Sequence, residues 1–131
     1  MPLDIYAEDI LSHYEHPHNK LRLKDFDASF SDENPLCGDT ITIYIKVSNM
    51  KVSDISFGGD GCSISQSTAS MLTDYVKGML LEDVEKIDYD KIKELLGINL
   101  GPARMNCAML PLKALHGAVK AYKNSNKATE K

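Results

Sequence analysis

The sequence predicts an α+β domain built on a small antiparallel sheet, and three features predict it. Ile41, Ile43, Ile45 and Val47 alternate with Thr40, Thr42, Tyr44 and Lys46, the two-residue period of a strand with one buried face. A second apolar run, Val52 to Phe57, follows after only Ser48-Asn49-Met50-Lys51, so the two runs are expected to pair across a tight turn. Residues with helical spacing flank these strands instead of alternating with them, which is the order of an α+β fold.

The elements follow in chain order. Asp4 is placed to cap a first helix with Ile5, Ile10, Leu11 and Tyr14 on its apolar side, ended by Pro17 in His16-Pro17-His18-Asn19. Phe26, Ala28 and Phe30 alternate with polar residues and supply a further strand. Gly58-Gly59-Asp60-Gly61 stops the strand that ends at Phe57, and Ile64, Thr68, Met71, Leu72 and Tyr75 then mark a helix. Leu81 to Leu96 carries Val84, Ile87, Ile92, Leu95 and Leu96 among charges, consistent with one or two short amphipathic helices. Met105, Met109, Leu112, Leu115, Val119 and Tyr122 mark a last helix, in which Pro111 is expected within the first turn.

A chain of 131 residues, 43% hydrophobic and 26% charged, fits one domain, placed at residues 1–123 with a polar tail, 124–131, expected to fray. The formal charge of −4, without a Lys/Arg cluster, gives no reason to expect nucleic acid as a partner. No run approaches the roughly 20 apolar residues of a membrane span, and the first residues lack a secretory layout, so the expected location is cytoplasmic.

Three widely spaced cysteines suit neither a disulfide framework nor a compact zinc knuckle. Cys37-Gly38-Asp39 offers a thiol and a carboxylate one residue apart on a turn that follows Asn34-Pro35, a pairing able to hold a borderline metal. Cys62 falls at a strand-to-helix turn, where the positive end of a helix favours thiolate. Cys107 is expected at or just before a helix start, with Arg104 three residues upstream as a second influence in the same direction. Any one of these thiols could simply fill a core, since free cysteine is among the most buried residue types. All three, however, are expected at element ends beside Gly or Arg and outside the apolar stripes. Three thiolates and one carboxylate make a four-coordinate set suited to zinc or to the edge irons of a [2Fe–2S] cluster.

These motifs, Cys37-Gly38-Asp39, the glycine-rich run into Cys62 and the Arg-x-x-Cys from Arg104 to Cys107, resemble the IscU/SufU/NifU N-terminal-like scaffold family. The opening Ile10-Leu11-Ser12-His13-Tyr14 before His16-Pro17-His18-Asn19 is similar to that family's first helix and the turn after it. The resemblance implies a three-stranded antiparallel sheet with helices packed on one face, and a semi-exposed site where Cys37, Asp39, Cys62 and Cys107 converge. It further implies an iron–sulfur cluster assembly scaffold that accepts persulfide sulfur from a cysteine desulfurase, binds iron, holds a labile [2Fe–2S] cluster and passes it to apo iron–sulfur recipient proteins. Cys107 is the residue chosen as persulfide acceptor, and Asp39 would help the cluster leave because carboxylate is a poorer ligand for cluster iron than thiolate.

The chain mixes features of the family's branches. Asn106 stands where the IscU branch carries histidine, so a histidine-ligated cluster is not expected. Leu100-Gly101-Pro102-Ala103-Arg104 only partly matches the Leu-Pro-Pro-Val-Lys motif read by the dedicated Hsp70 chaperone pair and is closer to SufU. The interval from Cys62 to Cys107 is nonetheless too short for the insertion usual in SufU. The leading reading is therefore a cluster scaffold that is not itself an enzyme. The alternative is a zinc-dependent sulfurtransferase using the same four residues, and a third is a structural zinc docking domain. Self-association and the chaperone partners stay open. His13, His16, His18 and His116 show no metal-site spacing and are assigned to surface or core packing, and the methionines at helical spacing to gap filling.

Overall fold

A computed structural model describes residues 10–35, 38–97 and 101–129. Helix residues 10–15 (α1) lead into strands β1 (Ala28–Asn34), β2 (Asp39–Ser48) and β3 (Lys51–Gly58). Helices α2 (Ser63–Val76), α3 (Leu81–Glu85), α4 (Tyr89–Leu96) and α5 (Pro102–Thr129) follow. The strands form one antiparallel sheet in the order β1-β2-β3, with α2 and α5 packed on one face, which is the α+β architecture that the sequence predicts. No described helix is long and apolar enough to cross a membrane. Asp4 and Ile5 of the expected first helix lie outside the described residues.

Ile41, Ile43 and Ile45 are fully buried under the helices, as their alternation requires. On β3 the buried residues Val52 and Ile55 are three apart, which a regular strand would place on opposite faces. A bulge between Lys46 and Val47 resolves this: Lys46 pairs with Asp54 and Val47 with Val52, so Ser53 is the extra residue and both apolar side chains face the core. The β2–β3 turn holds Asn49 and Met50 at φ 53 and 63, the pair of left-handed residues that a two-residue hairpin loop demands.

Helix α2 runs through the middle of the helical layer, and every residue from Ile64 to Thr73 is buried. Its hydroxyl-bearing side chains are held locally or by α1 and the segment after it, whereas the buried Gln66 carboxamide has no hydrogen-bond partner among the described residues. Thr68 Oγ1 donates to the Ile64 carbonyl at 2.7 Å and Thr73 Oγ1 to the Ala69 carbonyl at 2.8 Å, while Ser67 Oγ donates to the Ile10 carbonyl at 2.6 Å. Ser70 Oγ accepts the His18 amide at 2.8 Å and lies 2.6 Å from His13 Nδ1. Asp74 accepts from His18 Nδ1 and, at 2.9 Å, from Asn19 Nδ2. His13 and His18 thus fasten α1 and the segment after it to α2, a packing role as expected. His116 does likewise in α5, its Nε2 meeting the Val84 carbonyl at 3.1 Å.

Three expectations from periodicity are corrected. Leu11, Tyr14 and Tyr75 are 54%, 44% and 40% exposed, so the buried face of α1 rests on Ile10 among the described residues, and the apolar face of α2 runs through Leu72 and Val76 with Tyr75 outside it. Pro111 stands well inside α5 and not in its first turn. The missing amide removes one helical bond, but packing of α5 against β1, β2 and α2 holds the helix through it.

Two outcomes are expected. Met50→Gly removes the cost of a left-handed β-carbon and should raise unfolding stability by about 1 kcal/mol, read by urea denaturation. Partial burial alone would raise the Asp74 carboxyl, but the His18 and Asn19 hydrogen bonds and the charges of His18 and His13 hold it below its ordinary value. A depressed carboxylate contributes its stability in full above the ordinary value of 3.8 and loses it as pH falls through the lower folded-state value. Asp74 is half exposed, so Asp74→Asn should lower stability at pH 7 by only about 0.5 kcal/mol, and melts at stepped pH should show the gap closing below 3.8.

Candidate metal centre

Asp39, Cys62 and Cys107 come from three separate elements and meet at one end of the sheet. Their candidate ligand atoms all lie within 4.8 Å of one another. Sulfurs bound at about 2.3 Å to one tetrahedral zinc would be about 3.8 Å apart, so a small contraction closes the triangle on a metal. Two thiols and a carboxylate are a donor set that fits zinc or iron. Cys37 lies outside the described residues.

Asp39 opens β2 and is 5% exposed, on the same strand face as the buried Ile41, Ile43 and Ile45. Cys62 is the N-cap of α2, with extended φ −72 and ψ 171, as its strand-to-helix position predicts. The loop between β3 and α2 brings the two together. Thr40 donates its amide to the Asp60 carbonyl at 2.8 Å, and Asp60 returns its amide to Thr40 Oγ1 at 3.3 Å. A β-carbon on Gly59, at φ +121, would stand 2.1 Å from the Thr40 carbonyl oxygen. One on Gly61 would stand 2.4 Å from Ser65 Oγ and 2.9 Å from the Asp39 carboxyl carbon. Only glycines let this loop lie against the start of β2.

Cys107 departs from expectation. It sits in the second turn of α5, not at or before its start, and at 7% exposure it belongs to the core beside Met105, Ala108 and Leu110. Arg104 points outward and makes no side-chain hydrogen bond or ion pair among the described residues. Pro111, four residues on, has no amide to donate to the Cys107 carbonyl, although α5 continues unbroken through it. Cys62, by contrast, is exposed.

Two neighbours of the thiols escape sequence reasoning. Ser65 Oγ, fully buried, donates to the Cys62 carbonyl at 3.2 Å and lies 3.9 Å from its Sγ. Asn34 Nδ2 lies 3.8 Å from Cys107 Sγ. The first has a local signal, since residues three apart on a helix start adjoin. The second has none, because Asn34 and Cys107 are far apart in sequence.

Comparison with known proteins identifies the family. The family described as NifU-like N terminal domain matches residues 5–129. The chain is 35% identical over 127 residues to "Iron-sulfur cluster assembly scaffold protein IscU 1" of Archaeoglobus fulgidus, covering 97% of this chain and 82% of that one. It is 34% identical over 139 aligned positions to "Zinc-dependent sulfurtransferase SufU" of Bacillus subtilis, covering 93% and 94%. A NifU-like N-terminal protein from Brucella abortus shares the fold, with a TM-score of 0.76 at 21% identity over 95% of this chain and 99% of that one. The glycine-bounded triangle of Asp39, Cys62 and Cys107 thus stands in a chain that belongs to the NifU-like N terminal domain family, the IscU/SufU/NifU group.

Proposed function

We propose that this chain is a scaffold for iron–sulfur cluster assembly, with Asp39, Cys62 and Cys107 as ligands and Cys37, two residues before Asp39, completing the set. The observation that carries this reading is the convergence of one carboxylate and two thiols from β2, α2 and α5. The cargo is a labile [2Fe–2S] cluster built from iron and from sulfur supplied as persulfide by a cysteine desulfurase, each sulfur being reduced to sulfide by two electrons from an external electron donor as the persulfide bond breaks; the cluster is then passed to apo iron–sulfur proteins. Asp39 contributes a hard oxygen to a mostly sulfur set, which makes it the bond most readily exchanged when the cluster departs. Cys62, exposed at its helix cap, is the sulfur that a recipient protein can reach first.

A second reading is zinc-dependent sulfur transfer, favoured by the similarity to the Bacillus subtilis relative. In it the Cys107 thiolate attacks the outer sulfur of a protein persulfide. The donor's S–S bond breaks as the new one forms, and the donor cysteine leaves as thiolate, with no net oxidation or reduction. Against it, that alignment runs to 139 positions in a chain of 131, so the zinc-dependent relative carries residues that this chain lacks. The alignment to the scaffold relative spans 127.

Anaerobic purification and reconstitution with iron, sulfide and a desulfurase, followed by visible spectroscopy and metal analysis, separates the two. The scaffold gives a [2Fe–2S] spectrum, lost on Cys62→Ser, and passes its cluster to an apo-ferredoxin. Tightly held zinc, no stable cluster and faster desulfurase turnover would instead establish sulfur transfer. Gly61→Ala, which drives a methyl between Ser65 and Asp39, is expected to weaken metal binding at least about tenfold, in the range of changes to groups that orient ligands. Unaltered affinity in a folded Gly61→Ala protein would show that the Asp39 carboxylate is not held in place for a metal.

A further inference from the structure

The two described thiols differ in how a charge on sulfur would be stabilised. Cys62 is exposed and reaches water. Cys107 is 7% exposed, in a setting where an anionic sulfur must draw its stabilisation from protein donors. Arg104, the donor suggested by sequence proximity, points outward. Among the described residues, Asn34 reaches Cys107 instead: its amide nitrogen lies 3.8 Å from Sγ, within range for a donor to the large sulfur atom.

Asn34 is held there from several directions. It is the last residue of β1 and pairs with Asp39, so its side chain lies on the same face of the hairpin as the Asp39 carboxyl. Its carbonyl accepts the Gly38 amide at 2.8 Å. Pro35 restricts its backbone to the extended region that ends the strand. Asn34 also borders a cavity of about 250 Å³, lined as well by Asp32, Glu33, Asn106 and Lys113. The two carboxylates there are acceptors and cannot serve the sulfur, whereas a carboxamide offers N–H.

We propose that Asn34 is a positioning residue of the metal centre: its amide N–H donates to the Cys107 sulfur, aims it at the triangle with Asp39 and Cys62, and stabilises the negative charge that it carries as a ligand. This rests on the reading of Asp39, Cys62 and Cys107 as ligands. Groups that hydrogen-bond to ligating atoms set both metal affinity and the electronic character of the bound sulfur.

The test uses the full chain and cobalt(II) under anaerobic conditions, reading affinity by chelator competition and the sulfur-to-cobalt charge-transfer bands. Asn34→Asp keeps the shape but replaces the donor with a charged acceptor, and Asn34→Ala removes the carboxamide without adding a charge. Both should weaken cobalt binding, Asn34→Asp by about tenfold or more. Both should shift the charge-transfer bands to lower energy, because a sulfur without its hydrogen bond gives up electron density more easily. Asn34→Gln, which keeps the N–H, should lie closer to the parent in band position and keeps the test open if Asn34→Asp does not fold. Unchanged bands and affinity in folded Asn34 variants, with bands still lost on Cys107→Ser, would overturn the role of Asn34 and leave the ligand set standing. Bands retained in Cys107→Ser and Cys62→Ser would overturn the ligand set, and this proposal with it. A lowered melting temperature with unmoved bands would make Asn34 structural only and would also overturn it.

Discussion

The closeness of the Gly59–Gly61 loop to the start of β2 is the constraint on which the rest of the site depends. Two hydrogen bonds tie Thr40 to Asp60, and neither Gly59 nor Gly61 has room for a β-carbon. This contact sets where β3 ends and where α2 begins, and so puts the N-cap Cys62 beside Asp39. A side chain at either glycine would widen the gap between Asp39 and Cys62, which as proposed ligands must lie within a few ångströms to share a metal.

The rigidity of this corner is carried into the helical layer by α2. A helix buried from Ile64 to Thr73 with so many hydroxyls needs a partner for each, and the partners are its own carbonyls, the Ile10 carbonyl and the groups of His13 and His18. The histidines near the start of the chain thereby act as structure: they fix the segment after α1 on the helix whose first residue follows Cys62. Helix α5 closes the site from the other side, and its interior proline stands one turn beyond Cys107.

The resulting centre is asymmetric. One thiol faces solvent at a helix cap, the other is buried in a helix, and the carboxylate between them is buried on a strand. Such a set combines a reachable exchange point with a sulfur shielded from water. Under the proposed scaffold function, this division of labour would suit a cluster that is held and then released, because exchange could begin at one ligand while others retain the cargo.

The sequence by itself determined the elements whose cause is local. The isoleucines of β2, the place of the turn between Ser48 and Lys51, the glycine stop before Cys62 and the helical character of residues 81–96 are all set by spacing and composition, and they stand where the pattern puts them, while the fold decides that 81–96 makes two helices and not one. The identities of Asp39, Cys62 and Cys107 as a group were legible through their neighbours, Gly38, Gly61 and Arg104, while Cys37 lies outside the described residues. Tertiary structure alone decided the rest. The bulge at Ser53 follows from the need to bury both Val52 and Ile55, and the exposure of Leu11, Tyr14 and Tyr75 from which faces other elements cover. The burial of Cys107 and the unbroken passage of α5 through Pro111 follow from packing against the sheet and α2, which outweighs the local cost of proline. Asn34 meets Cys107 because a strand end and a helix turn are brought face to face. Periodicity reports which side of an element is apolar; only the packed fold decides what that side meets.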